Sequence, residues 1–216
     1  MSDVRERGWE VTNEEFEEMC SFVRSHLEET MKDNGDRMRW YPWHSAEYRY
    51  DHTKSVVNLA EKIAREEEAD VDVVRVGALF HDVAKFEVKH EKHAEEGAWT
   101  AQKYLSNEGY PDTFIDRVAQ VIRDHTEEMN DDLPLESKIL IEADSIDKIG
   151  VAGATLMGLR VGYESRSHKD VPGMMERVIN RGESMTDWIE TETGERIVRE
   201  RIERVKTYKN WFEDEL

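Results

Sequence analysis

Histidine and aspartate side chains recur beside apolar helical segments of the sequence, where they could bind metal ions. His81 and Asp82 directly follow the apolar residues Leu79 and Phe80, so we expect them at the inner edge of the core. A buried imidazole and carboxylate are costly unless both groups are paired or bind a metal. The side chains of adjacent helical residues point in directions about 100° apart. His81 and Asp82 can therefore bind two neighbouring ions more easily than they can chelate one, unless the carboxylate bridges. Four further candidates lie along the chain: His52, His93, His125 and Asp144.

Imidazole nitrogens together with carboxylate oxygens are typical ligands of borderline divalent ions. The donor types therefore favour Mn, Fe, Co, Ni or Zn over Mg, which prefers oxygen and water ligands. Such an ion lowers the pKa of its bound water to about 7 and so produces a nucleophile at neutral pH. The alternative interpretation of the same residues is a buried structural network of histidines and aspartates.

Helical periodicity fills almost the whole chain and supplies the elements that position these candidates. Thr12 and Glu15 predict a capping box at the start of an N-terminal helix, because each side chain can bond the other residue's amide. Apolar residues three and four apart predict further helices, one from about Asp51 and a last long one after Gly194. No segment shows sustained apolar–polar alternation, so the predicted fold class is all-α.

The composition limits what the protein can bind. The chain has 216 residues and a formal net charge of −19, which disfavours nucleic acid and anionic membrane surfaces as partners. Its longest nearly apolar run, residues 149–159, is shorter than the roughly 20 residues of a membrane-spanning helix. The single cysteine, Cys20, cannot form an internal disulfide, so we expect a cytoplasmic protein.

Five motifs in order resemble the HD superfamily of metal-dependent phosphohydrolases, in particular its small stand-alone members. The resemblance covers residues 49–150 or so and implies an HD-domain helical bundle with a metal site in its core between helices. We expect a single domain over residues 1–216, with the N-terminal and C-terminal helices packed on that core. The motifs are Arg49-Tyr-Asp-His52-Thr-Lys-Ser-Val56, Gly77-Ala-Leu-Phe-His81-Asp82-Val-Ala-Lys85, His93-Ala-Glu-Glu-Gly97-Ala98, Arg123-Asp-His125-Thr126 and Glu142-Ala-Asp144.

The resemblance implies a ligand set for one or two divalent ions per chain. A first ion would be held by four residues, and Asp82 would bridge to a second ion held by His93 and His125. The alternative for these last two histidines is contact with substrate, or a surface position, in a one-metal enzyme. The four ligands of the first ion are His52, His81, Asp82 and Asp144.

Two cationic side chains are candidates for binding substrate. Lys85 lies four residues after His81, one helical turn away, so it could face the same site, hold a phosphate and act in catalysis with Asp82. An ordinary solvated lysine is the alternative. Arg49 could orient Asp82, touch phosphate or form a structural salt bridge. Glu142 stands where many relatives carry Asp, which leaves its part around the site open.

The expected function is hydrolysis of a small phosphate ester or anhydride, with a nucleotide as the favoured substrate class. The motifs around His93 and His125 resemble a branch that cleaves dinucleoside polyphosphates, whereas residues 191–196 resemble one associated with nucleotide pyrophosphohydrolysis. Phosphomonoesterase action is a third possibility, and a non-catalytic nucleotide- or metal-sensing HD module is the alternative outside enzymes. Residues 151–190 could cap the site or contact a second copy in a homodimer.

Overall fold

The computed structural model describes residues 9–33, 45–164 and 166–216, and these are all-α, with no strand. The predicted fold class is therefore confirmed. Short 3₁₀ turns at His90–Lys92 and His168–Asp170 precede two of the helices. The α-helices are α1 (Asn13–Asp33), α2 (Ala46–Glu66), α3 (Val71–Phe80), α4 (His93–Asn107), α5 (Asp112–Asp124), α6 (Leu135–Asp147), α7 (Gly150–Tyr163), α8 (Val171–Met185) and α9 (Glu192–Asp214).

The chain divides into two compact units, Met1–Ile141 and Glu142–Leu216, and the division falls within α6. The first unit contains α1 to α5 and the start of α6, and the second contains the rest. That one domain spans residues 1–216 stays a prediction. No helix in the described ranges combines the length and the apolar character needed to cross a membrane.

Local capping decides where the helices of the first unit begin. The predicted capping box is present: the Glu15 amide donates to Thr12 Oγ1 at 3.2 Å, and the Thr12 amide donates to Glu15 Oε2 at 2.7 Å. Ser45 Oγ accepts from the Tyr48 amide at 3.0 Å, so α2 begins at Ala46 and not near Asp51 as periodicity suggested. The early start places Arg49 on the same helix as His52.

The core of the first unit forms where α2 packs on α3, α3 on α5 and α4 on α5. Phe80, Leu105, Phe114 and Ile122 are fully buried there. Burial of such large apolar side chains contributes about 1.5–3 kcal/mol each to folding. These contacts gather the ends of α3 and α5 and the start of α4, which are the places where the candidate histidines lie.

In the second unit, the described part of residues 151–190 includes most of α7 and all of α8, and these helices pack on each other and on α9. The helix α9 begins at Glu192, two residues before the predicted start at Gly194, because Thr191 caps it by accepting from the Gly194 amide at 2.9 Å. Whether this segment caps a site or contacts a second copy stays a prediction.

Candidate metal centre

The segment that carries Asp82 is a chain of tight turns rather than a continued helix. The helix α3 ends at Phe80, and successive bonds of the i to i+3 type follow: Val83 N to Phe80 O at 3.1 Å and Lys85 N to Asp82 O at 3.0 Å. Lys85 therefore does not reach the site through helical i+4 spacing from His81, as the sequence suggested. The turn instead places Lys85 Nζ 3.0 Å from Asp82 Oδ1.

Asp82 lies between two pairs of histidines, with one carboxylate oxygen facing each pair. Its Oδ2 atom is 3.6 Å from His81 Nε2 and 3.9 Å from His52 Nε2. Its Oδ1 atom is 3.4 Å from His93 Nε2 and 4.0 Å from His125 Nε2. The residue is buried, with 3% of its surface exposed. This division of the two oxygens is the geometry that a bridging carboxylate needs.

Three of the histidines are held in the same way, by the backbone carbonyl three residues earlier. A carbonyl oxygen can only accept, so each Nδ1 carries the proton and each Nε2 keeps the lone pair that binds metal. The last turns of α3 and α5 supply the carbonyls for His81 and His125, and the 3₁₀ turn before α4 supplies the one for His93. The bonds run from His81 Nδ1 to Ala78 O at 2.7 Å, from His125 Nδ1 to Ile122 O at 2.5 Å, and from His93 Nδ1 to His90 O.

Two cations keep Asp82 ionised although it is buried. Burial alone would raise the pKa of this carboxyl, and it is the largest single influence, but the nearby charges, first of Lys85 and then of Arg49, His81 and His52, together outweigh it. The pKa of Asp82 is therefore well below its usual range. Arg49 Nη1 donates to Oδ2 at 2.5 Å, and both partners are buried. The salt bridge expected as one option for Arg49 is present, and its contact with substrate stays a prediction.

His93 is neutral at physiological pH. Burial, followed by the Lys85 charge, lowers its pKa to about 4 from 6.5, and the neutral ring is the form that coordinates a metal. Lys85 Nζ lies 2.9 Å from His93 Nε2, and His93 Nε2 lies 3.1 Å from His125 Nε2.

The residues around Oδ1 of Asp82 fit a divalent metal ion. Ligand atoms of Asp82, His93 and His125 all lie within 4.8 Å of one another, and all three residues are buried. Two imidazoles and one carboxylate are a donor set suited to Zn or a neighbouring transition metal.

The last predicted ligand, Asp144, belongs to the second unit. Its carboxylate pairs with Lys148 on the same helix, at 2.5 Å between Nζ and Oδ2. Its role as a ligand stays a prediction.

Two buried carboxylates beside the predicted ligands were not assigned from the sequence. Asp124 precedes His125 and accepts from Ser137 Oγ and Gln120 Nε2, both at 2.7 Å, which fixes the end of α5. Its place inside the Arg123-Asp-His125 motif was the sequence signal that could have indicated a role for it. Its hydrogen-bond partners are visible only in the folded structure.

Glu142, the residue that departs from many relatives, is fully buried in the second unit. Its Oε1 accepts from the amides of Glu190 and Thr191 at 2.9 and 3.0 Å, and Oε2 accepts from Thr191 Oγ1 at 2.5 Å. A Cβ on Gly194 would lie 2.3 Å from Oε2, so a glycine is required there. Glu142 thus stabilises the start of α9 through hydrogen bonds to residues 48 and 49 positions further along the chain.

Comparison with known proteins identifies the domain. Residues 49–149 match the family model of the HD domain, and these residues include all five motifs. This match agrees with the resemblance to the HD superfamily that the motifs indicate, over that stretch of the chain.

Solved structures share the fold over more than nine-tenths of this chain. A predicted HD superfamily hydrolase from an uncultured Thermotogales bacterium is 26% identical, with a TM-score of 0.62 over 92% of this chain and 91% of that one. Bacillus subtilis YpgQ in complex with ADP is 21% identical, with a TM-score of 0.62 over 93% and 97%. An HD-superfamily hydrolase from Bacillus thuringiensis is 15% identical, with a TM-score of 0.65 over 92% and 97%. The likeness to the two Bacillus proteins is one of fold.

A shorter match connects the chain to a larger protein. The tRNA (cytidine(56)-2'-O)-methyltransferase of Thermoplasma volcanium is 35% identical over 85 residues. The match covers 39% of this chain and 23% of that protein, so the chain spans less than a quarter of the relative's length.

Proposed function

We propose that the protein is a metal-dependent phosphohydrolase acting on a small phosphate ester or anhydride, with a nucleotide as the favoured substrate. The observation that carries this proposal is the placement of Asp82, with Oδ1 facing His93 and His125 and Oδ2 facing His52 and His81. A carboxylate in that position can serve two ions at once. Two adjacent ions clamp the attacking and leaving oxygens of an in-line displacement at phosphorus.

A bound divalent ion would supply a hydroxide at neutral pH and positive charge for the phosphate oxygens. The chain's own residues hold the ligands in place. Backbone carbonyls orient three imidazoles so that each Nε2 faces the site, and Arg49 donates a hydrogen bond to Oδ2 of Asp82. Lys85 brings an ammonium group next to the reacting phosphoryl group. On the family resemblance alone, we propose Asp144 as a further ligand of the first ion.

A nucleotide substrate accords with the charge of the chain and with one fold relative. A chain of net charge −19 needs local positive charge to bind a polyphosphate, and the metal centre with Lys85 would provide it. YpgQ, which shares the fold, was crystallised with ADP. We place the phosphate groups over the Oδ1 side of Asp82, where Lys85 lies.

The test is turnover by metal-stripped protein supplied with Mn²⁺, Co²⁺, Ni²⁺, Zn²⁺ or Mg²⁺ in turn. Nucleoside triphosphates, nucleoside monophosphates and dinucleoside polyphosphates are the substrates, and ³¹P NMR identifies the products. Pyrophosphate, inorganic phosphate or two separate nucleotides would respectively indicate pyrophosphohydrolysis, monoester hydrolysis or cleavage between two nucleosides.

The matched variants are Asp82→Asn at the site and Asp116→Asn on the exposed surface of α5. We expect turnover to depend on metal, to vanish in the first variant and to persist in the second. Nucleotide binding without turnover under every metal would instead identify a sensing module and refute the hydrolase proposal.

A further inference from the structure

The ammonium group of Lys85 lies within the group of atoms that would hold the second ion. Its Nζ is 3.0 Å from Asp82 Oδ1 and 2.9 Å from His93 Nε2, and these are two of the three donor residues of that group. The side chain is only 10% exposed, so the contact is made largely away from solvent. The chain's own ammonium group therefore lies where the resemblance would place a second ion.

The contact between Lys85 and His93 excludes a metal ion at the same nitrogen. His93 Nδ1 donates to the His90 carbonyl, so Nε2 has a single lone pair in the plane of the ring. That lone pair can accept a hydrogen bond from Lys85 or coordinate an ion, and it cannot do both. A divalent ion held by His93 must therefore displace the lysine.

A lysine side chain, unlike an arginine side chain, is suited to moving out of an ion position and back into it. Its ammonium is a point charge on a flexible four-carbon stem, whereas a guanidinium forms a rigid planar fork. The two oxygens of Asp82 differ accordingly, since Arg49 holds Oδ2 and Lys85 holds Oδ1. The exchangeable cation is on the side of His93 and His125, and the fixed cation is on the other.

We propose that Lys85 is an internal cation that fills the second-ion position of the metal-free protein and competes with that ion. When the ion binds, the displaced ammonium stays tethered beside the site and becomes available to a substrate phosphate. Binding of the second ion and presentation of Lys85 to substrate are thus one event. This inference rests on the metal centre of the proposed function, but it is tested by binding alone.

The competition predicts that removing the lysine tightens metal binding, the opposite of what loss of a ligand would do. Isothermal titration of metal-free protein with Mn²⁺ would compare the wild type with Lys85→Met, which keeps much of the stem and removes the charge. We expect the weaker Mn²⁺ site to tighten by about tenfold to a hundredfold, the factor associated with one charge-assisted hydrogen bond. Lys85→Arg, which keeps the charge, should not tighten it.

Lys89→Met is the matched control, because Lys89 is an exposed lysine four residues along the same segment and the substitution changes the net charge equally. Its Mn²⁺ affinities should equal those of the wild type. Thermal unfolding gives a second readout: metal-free Lys85→Met should melt below the wild type, and Mn²⁺ should raise its melting temperature by more.

An unchanged or weaker second site in Lys85→Met would overturn the proposal, as would equal tightening in Lys89→Met. A single Mn²⁺ site in both wild type and Lys85→Met would also overturn it. One site in the wild type and two in Lys85→Met would support it strongly. None of these results depends on turnover, so failure of the proposed hydrolase activity would be seen separately in the substrate assay.

Discussion

Replacing Asp82 by Asn would test whether the charge of this residue balances the two cations around it. The substitution preserves shape but leaves Arg49 and Lys85, whose contacts to the carboxylate are 2.5 and 3.0 Å, without their buried anion. Breaking a buried ion pair by removing one partner costs about 3–5 kcal/mol. For a protein of this size, 1 kcal/mol shifts the melting temperature by about 2–4 °C, so the metal-free variant should melt about 6–20 °C lower.

Differential scanning fluorimetry of metal-free protein measures this shift, with Asp116→Asn as the surface control. The double variant Asp82→Asn/Lys85→Met removes one of the two uncompensated cations, so it should melt above Asp82→Asn alone. This non-additivity is the specific signature of charge balance, because a merely misfolded loop would make the double variant worse. A melting temperature of Asp82→Asn within about 2 °C of the wild type would refute the reasoning.

Three further outcomes are expected. His125→Ala should lower the Mn²⁺ stoichiometry from about two to about one by metal analysis after dialysis, and an unchanged value would make His125 a substrate contact. The pKa of His93 is lowered from 6.5 to about 4, so between these pH values the unfolded chain binds more protons than the folded one. The free energy of unfolding of the metal-free protein should therefore rise by up to about 3 kcal/mol as the pH increases from 4 to 6.5, and fall again on acidification. In urea unfolding, His93→Gln should flatten this part of the pH profile. Gly194→Ala, whose new Cβ would meet the buried Glu142 carboxylate, should destabilise by about 1–3 kcal/mol in urea unfolding, whereas Gly158→Ala, which faces open space within α7, should change stability by less than about 1 kcal/mol in either direction.

The order and chemical types of the candidate residues could be predicted from the sequence. Periodic apolar residues predicted the helices, and the five motifs listed the candidate residues in order along the chain. Helix starts were less certain, because a single capping side chain decides them. Because Ser45 caps α2, this helix begins at Ala46, before the predicted start near Asp51. Because Thr191 caps α9, that helix begins at Glu192, before the predicted start after Gly194.

The arrangement around Asp82 was decided by the tertiary structure. Periodicity shows which face of a helix is buried, but it does not show which atoms of other helices meet that face. The packing of α2, α3, α4 and α5 brings His125 Nε2 to 4.0 Å from Asp82 Oδ1, although the residues are 125 − 82 = 43 positions apart. The same packing assigns one oxygen of Asp82 to each pair of histidines.

The position of Lys85 shows most clearly what could not be predicted from the sequence. Its spacing from His81 predicted a helical position facing the site. The structure instead places it in turns after Phe80, with its Nζ next to Asp82 Oδ1 and His93 Nε2. The sequence by itself predicted the all-α fold and indicated Lys85 as a neighbour of the candidate metal ligands His81 and Asp82. Only the tertiary structure decided that its ammonium would contact both His93 Nε2 and Asp82 Oδ1. The reason is that the position of a flexible side chain depends on which charged and polar groups the packing brings near it.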